Sequence, residues 1–492
     1  MGLVTPVDPV PLSELGAVHF TGIGGAGMSG IARIMLALGV AVSGTDSAPS
    51  AQLDELAALG ARVSVGHSAA SLGDAATLVR SSAIRPDNPE LAEARRRGLR
   101  VLHRAAALAS LMLGRQGIAV AGTHGKTTTT SMITTVLRDC GADPSYVIGG
   151  VLAGTGHGAG HGSGAAFVAE ADESDGSFLM LAPDAAVITC VEADHLDNYA
   201  DLAQIEAAFR AFAGQITPGG LLVACADDAG AAALARQAAL DRPDLRVVTY
   251  GTAPAAGYRL AAVRPDGMAA DLVIRPAAGT RAHEAGAHET GPHESGPQIA
   301  ARIAVPGRHN ALNAAAALAL TAELGYPPDR IAAGLAAYGG ARRRMELKGE
   351  ADGVRVVDSY AHHPTELAAD LAAARDIAAG GRVIALFQPH LFSRTRIFAA
   401  ELGAALGRAD EVLVLDVYAA REDPEPGVTG ALVARAVPGG LAQFVPDRAA
   451  APDAVTGLVK PGDLVLTMGA GDVTALGPLI LAALRERAGE PG

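Results

Sequence analysis

The chain predicts an α/β protein of three domains built on mostly parallel sheets. Its 492 residues exceed what one apolar core supports. Short apolar runs alternate with Ala-rich helical spacing along most of the length, the pattern of parallel strands covered on both faces. Two glycine-rich turns each sit between a strand-like run and a helix-like run.

The first domain is expected over 14–108. Ala17 to Thr21 is apolar, Gly22-Ile-Gly-Gly-Ala-Gly27 is a turn, and Met28 to Leu38 has helical spacing closed by Gly39. A strand over Val40 to Ser43 follows and leads to Asp46, completing one βαβ unit. That is a Rossmann-like start. The second domain, 109–338, opens on an apolar run from Gly117 to Ala121, a second glycine turn, and a helix-like run from Thr127 to Arg138. Strands are expected at Ala165 to Ala169, Ala185 to Val191 and Leu221 to Ala224. Near its end, 280–298 carries an imperfect repeat with three His-Glu pairs; this composition cannot bury a core and reads as a flexible insertion in a surface hairpin, although a metal-binding tract is the other reading. The third domain, 339–492, is again Rossmann-like, with strands at Val354 to Val357, Val383 to Phe387, Val412 to Leu415 and Leu464 to Thr467.

A net charge of −13 argues against general nucleic-acid or anionic-membrane binding, so any polyphosphate site must be local. Cys140, Cys190 and Cys225 are odd in number and scattered, which suggests a reducing compartment without a disulfide framework. Residues 1–16 lack the basic and apolar regions of a signal peptide, and no apolar run reaches membrane-spanning length, so a cytoplasmic protein is expected.

Chemistry concentrates in the second turn, Gly122-Thr-His-Gly-Lys-Thr-Thr128. A tight turn before a helix aims backbone N–H groups at one spot and favours phosphate. Lys126 adds a mobile charge and Thr127 a hydroxyl placed for a metal ion. Only three of the 39 basic residues are lysine, so a lysine in this loop has a specific task. The turn departs from the strict phosphate-loop pattern, with Val120 where the first glycine would stand. The first turn matches G-x-G-x-x-G with Asp46 about 20 residues on, which implies a diphosphate at the helix N-terminus and a ribose hydroxyl on the acid; NAD and a UDP-sugar both fit. Glu170, Asp172, Glu173 and Asp175 end one strand, and four adjacent carboxylates call for Mg²⁺ or for solvent. His195 follows the next strand as a metal ligand or a structural histidine. Arg308-His-Asn310 and Asn313 open an Ala-rich helix, where Asn310 either helps read adenine or caps the helix. Arg342-Arg-Arg344 could stabilise a transferring phosphoryl group or form a solvated turn. Asp358-Ser-Tyr360-Ala-His362-His-Pro, Gln388-Pro-His390 with Arg394, Asp416-Val-Tyr418 and Gly469-Ala-Gly471-Asp472 each follow a strand of the third domain, which makes one sheet edge a binding mouth.

In order along nearly the whole chain, Gly122 to Thr128, Glu170, His195, His309-Asn310 with Asn313, Arg344 and Asp358 resemble the motif series of the ATP-dependent Mur ligases. Residues 19–30, 170–175, 358–366 and 387–390 are similar to the alanine-adding branch. The resemblance implies an N-terminal UDP-binding domain, in which Gly22, Gly24, Gly25, Gly27, Met28, Ser29 and Asp46 hold the UDP-sugar. It implies ATP on Gly122, Thr123, His124, Gly125, Lys126, Thr127 and Thr128, with Asn310, Asn313 and Arg344 completing the nucleotide site across a domain junction. Thr127 and Glu170 would hold one Mg²⁺ and His195 a second. Lys126, Arg344, Asp358 and His195 would be catalytic. Tyr360, His362 and Arg394 would form the amino-acid pocket, where Leu391 replaces an arginine common in the branch. The implied reaction joins L-alanine to UDP-N-acetylmuramate in cytoplasmic peptidoglycan precursor synthesis, hence in cell shape and division, by a monomer or weak dimer without nucleic-acid or membrane partners. No lysine lies between Lys126 and Lys348, so the central domain cannot supply the carbamylated lysine of several family members; this fits the alanine-adding branch and the murein-tripeptide recycling branch, its alternative. An NAD-dependent oxidoreductase leaves Lys126, Glu170 and His195 without a role, and a partner-driven NTPase leaves the first glycine turn unexplained.

Overall fold

The computed structural model describes residues 3–196, 198–285, 297–420 and 422–489. Its first sheet has five parallel strands in the order Arg62–Val65, Val42–Asp46, Val18–Thr21, Thr77–Arg80, Arg100–His103. The chain runs outward in one direction from Val18–Thr21 and then restarts on its other side, so a topological switch point lies beside that strand, where an open parallel sheet leaves a crevice. The helix Ala26–Ala37 follows the glycine turn and buries Met28, Ile31, Ile34 and Met35. The next strand is Val42–Asp46, two residues later than the expected start. Val40 is still tied to the helix by its N–H on Met35 O, after Gly39 turns with φ +81°.

The second sheet has ten strands, ordered Ile299–Ile303, Ala269–Pro276, Tyr258–Asp266, Arg246–Gly251, Leu221–Cys225, Ala185–Ile188, Gln116–Ala121, Ala166–Glu170, Ser145–Val147, Ala159–Gly160. Its centre is parallel, and Gln116–Ala121 lies between Ala185–Ile188 and Ala166–Glu170. Ile118, Ala119, Val120 and Ala121 are fully buried, which is why this strand reads as a continuous apolar run. The strand expected to reach Val191 ends at Ile188. Beyond it the chain bonds the phosphate turn: Thr189 donates its hydroxyl to His124 O, and Cys190 O accepts from Thr123 N–H. The start of the His-Glu repeat forms a short helix, Arg281–Glu284, capped by Thr280, between two strands adjacent in the sheet; the rest, 286–296, lies outside the described residues.

The third sheet is ordered Glu346–Ala351, Val354–Ser359, Leu464–Met468, Val383–Phe387, Glu411–Leu415, Ala442–Val445. Only the first pair is antiparallel. Successive residues alternate between two apolar layers, with Val357, Ala385 and Phe387 in one and Val356, Ile384 and Leu386 in the other. Packing divides the chain into two compact units, one of Met1–Ala261, Val273–Ala301 and Leu312–Tyr338, the other of Ala262–Leu272, Arg302–Ala311 and Gly339–Gly492.

Candidate functional site

The phosphate turn is fixed by its glycines. Gly122 has φ +134°, and a Cβ there would lie 2.0 Å from Thr189 Oγ1. Gly125 has φ +81° and caps the helix Lys126–Asp139. A Cβ on it would lie 2.7 Å from Asn313 Oδ1, so Asn313 stands against the turn. Lys126 Nζ donates to Gly122 O at 2.7 Å and Thr123 O at 3.1 Å, and lies 2.9 Å from the Glu173 carboxylate. Burial alone would lower the Lys126 pKa, but Glu173 and Asp172 outweigh it and hold the ammonium well above its ordinary value. His124 lies 3.6 Å from Glu192, and Thr128 is buried.

Of the four acids at the end of Ala166–Glu170, three have separate partners among the described residues. Asp172 is bonded by Arg104 Nη2 at 2.5 Å, and Arg104 and Lys126 hold its carboxyl far below the usual range despite burial. Glu173 takes Lys126. Asp175 accepts from Ser82 Oγ at 2.5 Å and lies 3.5 Å from His103 Nε2. Glu170 is different. Its Oε1 accepts from Thr127 Oγ1 at 3.1 Å and its Oε2 from Gly149 N–H at 2.7 Å, with no Lys, Arg or His paired to it among the described residues. A hydroxyl beside a carboxylate that has no ion-pair contact of its own is a hard oxygen set that suits Mg²⁺.

His195 adopts φ +54°, an uncommon conformation for a non-glycine residue. Its Nε2 lies 3.6 Å from Glu173 and 3.7 Å from Asp194. Burial would lower its pKa, but Glu173 and Asp194 raise it above the ordinary value, so a cation at this ring would compete with a proton.

In the same unit the first glycine turn forms one wall of a cleft of about 900 Å³. Gly22, Gly24, Gly25, Gly27, Met28 and Asp46 line it, as does Arg104. Asp46 Oδ2 accepts from Gly24 N–H at 2.9 Å, so the acid braces the turn as well as facing the cleft. Ser29 bonds its hydroxyl back to Ala26 O at 3.2 Å.

In the other unit Asp358 is fully buried and accepts from Thr467 Oγ1 at 2.6 Å and Thr474 Oγ1 at 2.7 Å. The arginine at its carboxylate is Arg343, Nε 3.5 Å from Oδ2, while Arg344 lies 3.8 Å from Glu366. Both guanidinium groups stack over Tyr360. His362 packs edge-on against Tyr360 and His390, and His390 stacks on Tyr418, so four of the polar loop residues do meet. Arg394 is buried on the helix Phe392–Leu406. Leu391, just before that helix, has φ +68° and ψ 137°, a region disfavoured for any side chain. Asn310 is inside the helix Arg308–Glu323, not its cap, and donates Nδ2–H to Pro306 O at 2.6 Å.

Sequence reasoning passed over two contributors and left the partner of a third open. Arg104 belongs to the first sheet's last helix but touches the second domain's acids. Gly149 brings backbone N–H to Glu170. Glu173 was one acid among four until its Lys126 contact appeared. A Gly-Gly pair after a strand was the only local signal for Gly149.

Family profiles match in three stretches: Mur ligase family, catalytic domain, over 17–116; Mur ligase middle domain over 120–321; and Mur ligase, glutamate ligase domain, over 343–471. The chain is 55% identical to a UDP-N-acetylmuramate–L-alanine ligase of Thermobifida fusca, covering 98% of this chain and 100% of that one. It is 56% identical to the ligase of the same name from Kineococcus radiotolerans, over 97% and 98%. Among solved structures, the UDP-N-acetylmuramate–alanine ligase of Thermotoga maritima superposes with a TM-score of 0.78 at 26% identity, over 96% of this chain and all of that one. A murein peptide ligase of Psychrobacter arcticus shares the fold, with a TM-score of 0.68 at 23% identity over 95% and 98%. The chain belongs to the Mur ligase family.

Proposed function

We propose that this protein is the ATP-dependent ligase that joins L-alanine to the muramoyl carboxylate of UDP-N-acetylmuramate, in the cytoplasm, during peptidoglycan precursor synthesis. One observation carries the reading beyond family membership. A glycine-walled cleft and a lysine-bearing phosphate turn lie in one unit, and Arg104 lines the first while bonding Asp172 beside the second. Alanine-adding relatives at 55–56% identity over nearly the whole chain favour this over murein-tripeptide recycling.

The residues then divide the work. The cleft holds the UDP moiety, with the diphosphate at the N-terminus of Ala26–Ala37. Gly122 to Thr128 hold the ATP phosphates, and Asn310, Asn313, Arg344 and Asp358 add nucleotide contacts. Thr127 and Glu170 would hold one Mg²⁺ and His195 a second, supplying positive charge where anion meets anion. A muramoyl carboxylate oxygen attacks the γ-phosphorus, forming an acyl phosphate as the bond to ADP breaks. The alanine amine then attacks the acyl carbon, loses a proton, and phosphate leaves with the C–O bond electrons. Both partners of the first step are negative, so Lys126 and Arg344 act by positioning and charge neutralisation. Tyr360, His362 and Arg394 would seat the alanine.

The test is phosphate release from ATP with UDP-N-acetylmuramate, with and without L-alanine, in wild type and Lys126→Ala. Release that needs both substrates and vanishes in the variant is expected. Release indifferent to the UDP-sugar would favour a partner-driven NTPase.

A further inference from the structure

The acidic turn after Ala166–Glu170 and the turn that carries His195 are joined by two side chains that the reaction as described leaves unused. Asn198 Nδ2 donates to Ser174 O at 3.0 Å, and the Tyr199 hydroxyl donates to Glu173 O at 2.6 Å. Adjacent residues of one turn thus hold adjacent carbonyls of the other, within one compact unit. Tyr199 is 2% exposed. Burial, with Glu173, Asp175 and Asp172 nearby, pushes its hydroxyl well above the ordinary phenol value, so it stays a neutral donor.

What this clasp holds is a strained residue. His195 O accepts from Asn198 N–H at 2.8 Å and from Tyr199 N–H at 3.0 Å, and His195 N–H donates to Asp194 Oδ1 at 2.7 Å. Those local bonds shape the turn around the φ +54° of His195, but they do not decide where the turn points. Its placement comes from the two bonds to Glu173 and Ser174. A backbone conformation of this kind persists only where its surroundings over-determine it. The result is a fixed triangle. Tyr199 pins the backbone of Glu173, whose carboxylate lies 2.9 Å from Lys126 Nζ and 3.6 Å from His195 Nε2. The clasp therefore sets the spacing between the ammonium of the phosphate turn and the imidazole of His195.

We infer that Tyr199 and Asn198 are positioning residues of the ligase reaction: by clasping the acidic turn they hold His195 at the distance from Lys126 at which it can take the second metal ion. The inference rests on the two-ion reading proposed above and adds the residues that place the second ion. The role of the hydroxyl is separable from the fold. Glu173 O also accepts from Gly176 N–H at 3.0 Å, so Tyr199→Phe keeps the buried ring, leaves that carbonyl with a partner and removes only the clasp.

Metal binding to the full chain tests this without turnover. Mn²⁺ is titrated by electron paramagnetic resonance in the presence of the β,γ-methylene analogue of ATP and UDP-N-acetylmuramate. Wild type should bind two ions, and His195→Ala should lose one of them. Tyr199→Phe should bind that His195-dependent ion about tenfold more weakly, the worth of one hydrogen bond, and the other ion as wild type does. Asn198→Ala, at a half-buried position, should act in the same direction. Thermal midpoints should stay close to wild type. In steady-state kinetics kcat should fall while the KM for UDP-N-acetylmuramate holds, because the glycine-walled cleft is untouched. Wild-type affinity for the His195-dependent ion in both variants overturns the inference and leaves the two-ion reading standing. Equal weakening of both ions in step with a falling midpoint also overturns it, since the clasp would then serve the fold alone. A wild type that binds a single ion, unaffected by His195→Ala, overturns the two-ion reading and the inference with it.

Discussion

Arg104 and Asp172 meet at 2.5 Å, Nη2 to Oδ2, joining the helix that follows the first sheet to the acidic strand end of the second. The guanidinium also overlooks the diphosphate turn: a Cβ on Gly27 would stand 3.4 Å from Nη1. One arginine thus faces the arriving substrate and an acid two residues from Glu170. Substrate oxygens approaching Gly27 enter its field and compete with Asp172 for its N–H groups. Charge-assisted hydrogen bonds contribute about 1.5–3 kcal/mol. Arg104→Ala is therefore expected to raise the KM for UDP-N-acetylmuramate by about tenfold or more. Arg104→Lys should restore part of that. Steady-state kinetics on folded variants decide it; an unchanged KM would leave Arg104 a domain tie only.

Lys126→Ala is expected to do two separable things. It removes the charge that meets ATP, and it strands Glu173, which is 2% exposed, without its ammonium. Breaking a buried pair by removing one partner costs about 3–5 kcal/mol. The single variant should therefore unfold at distinctly lower urea. Lys126→Ala with Glu173→Gln should recover most of that midpoint while staying inactive. Recovery of activity in the double variant would remove Lys126 from the chemistry.

The positions of Lys126 and Thr127 were legible because strand, glycine turn and helix are contiguous in sequence, and local order alone brings them together. Asp358 was legible as a strand end, but not its partners. Thr467 comes from the strand Leu464–Met468 and Thr474 from the short helix Asp472–Ala475 after it, both more than a hundred residues away, and Arg343 rather than Arg344 reaches it because φ +62° at Arg343 turns the basic run. The separate pairing of Asp172, Glu173 and Asp175 was hidden for the same reason. Charge composition shows that four acids need compensation, whereas which cation answers which acid depends on chain crossings that periodicity does not encode.

Gly149 gives a sharper test of the metal site. A Cβ there would stand 2.7 Å from Glu170 Oε1, and the residue is exposed, with a backbone that does not require glycine. Gly149→Ala should push Glu170 away from Thr127 with little effect on the core. Turnover is expected to fall about tenfold or more, partly recoverable with higher Mg²⁺, while the thermal midpoint barely moves. A midpoint that falls in step with activity would mean a folding defect instead.

His103 predicts how the first unit responds to acid. Burial holds its pKa down at about 4, against the ordinary 6.5, even with Asp175 nearby. The reason is visible in its bonds. Nδ1 accepts from Ala105 N–H at 3.3 Å as the cap of the helix Arg104–Met112, and Ser82, which donates to Asp175, leaves its Oγ 3.0 Å from Nε2 to accept. A second proton on Nδ1 would face an N–H and break the cap. Between pH 6.5 and about 4 the unfolded chain binds a proton that the folded one refuses, so stability is full above 6.5 and falls as pH drops through that window. The full shift corresponds to about 3 kcal/mol as an upper bound. His103→Asn keeps a capping side chain without a titrating group. Urea midpoints measured from pH 7 to pH 4 should fall less steeply in the variant than in wild type, and parallel curves would show that other groups govern the acid response.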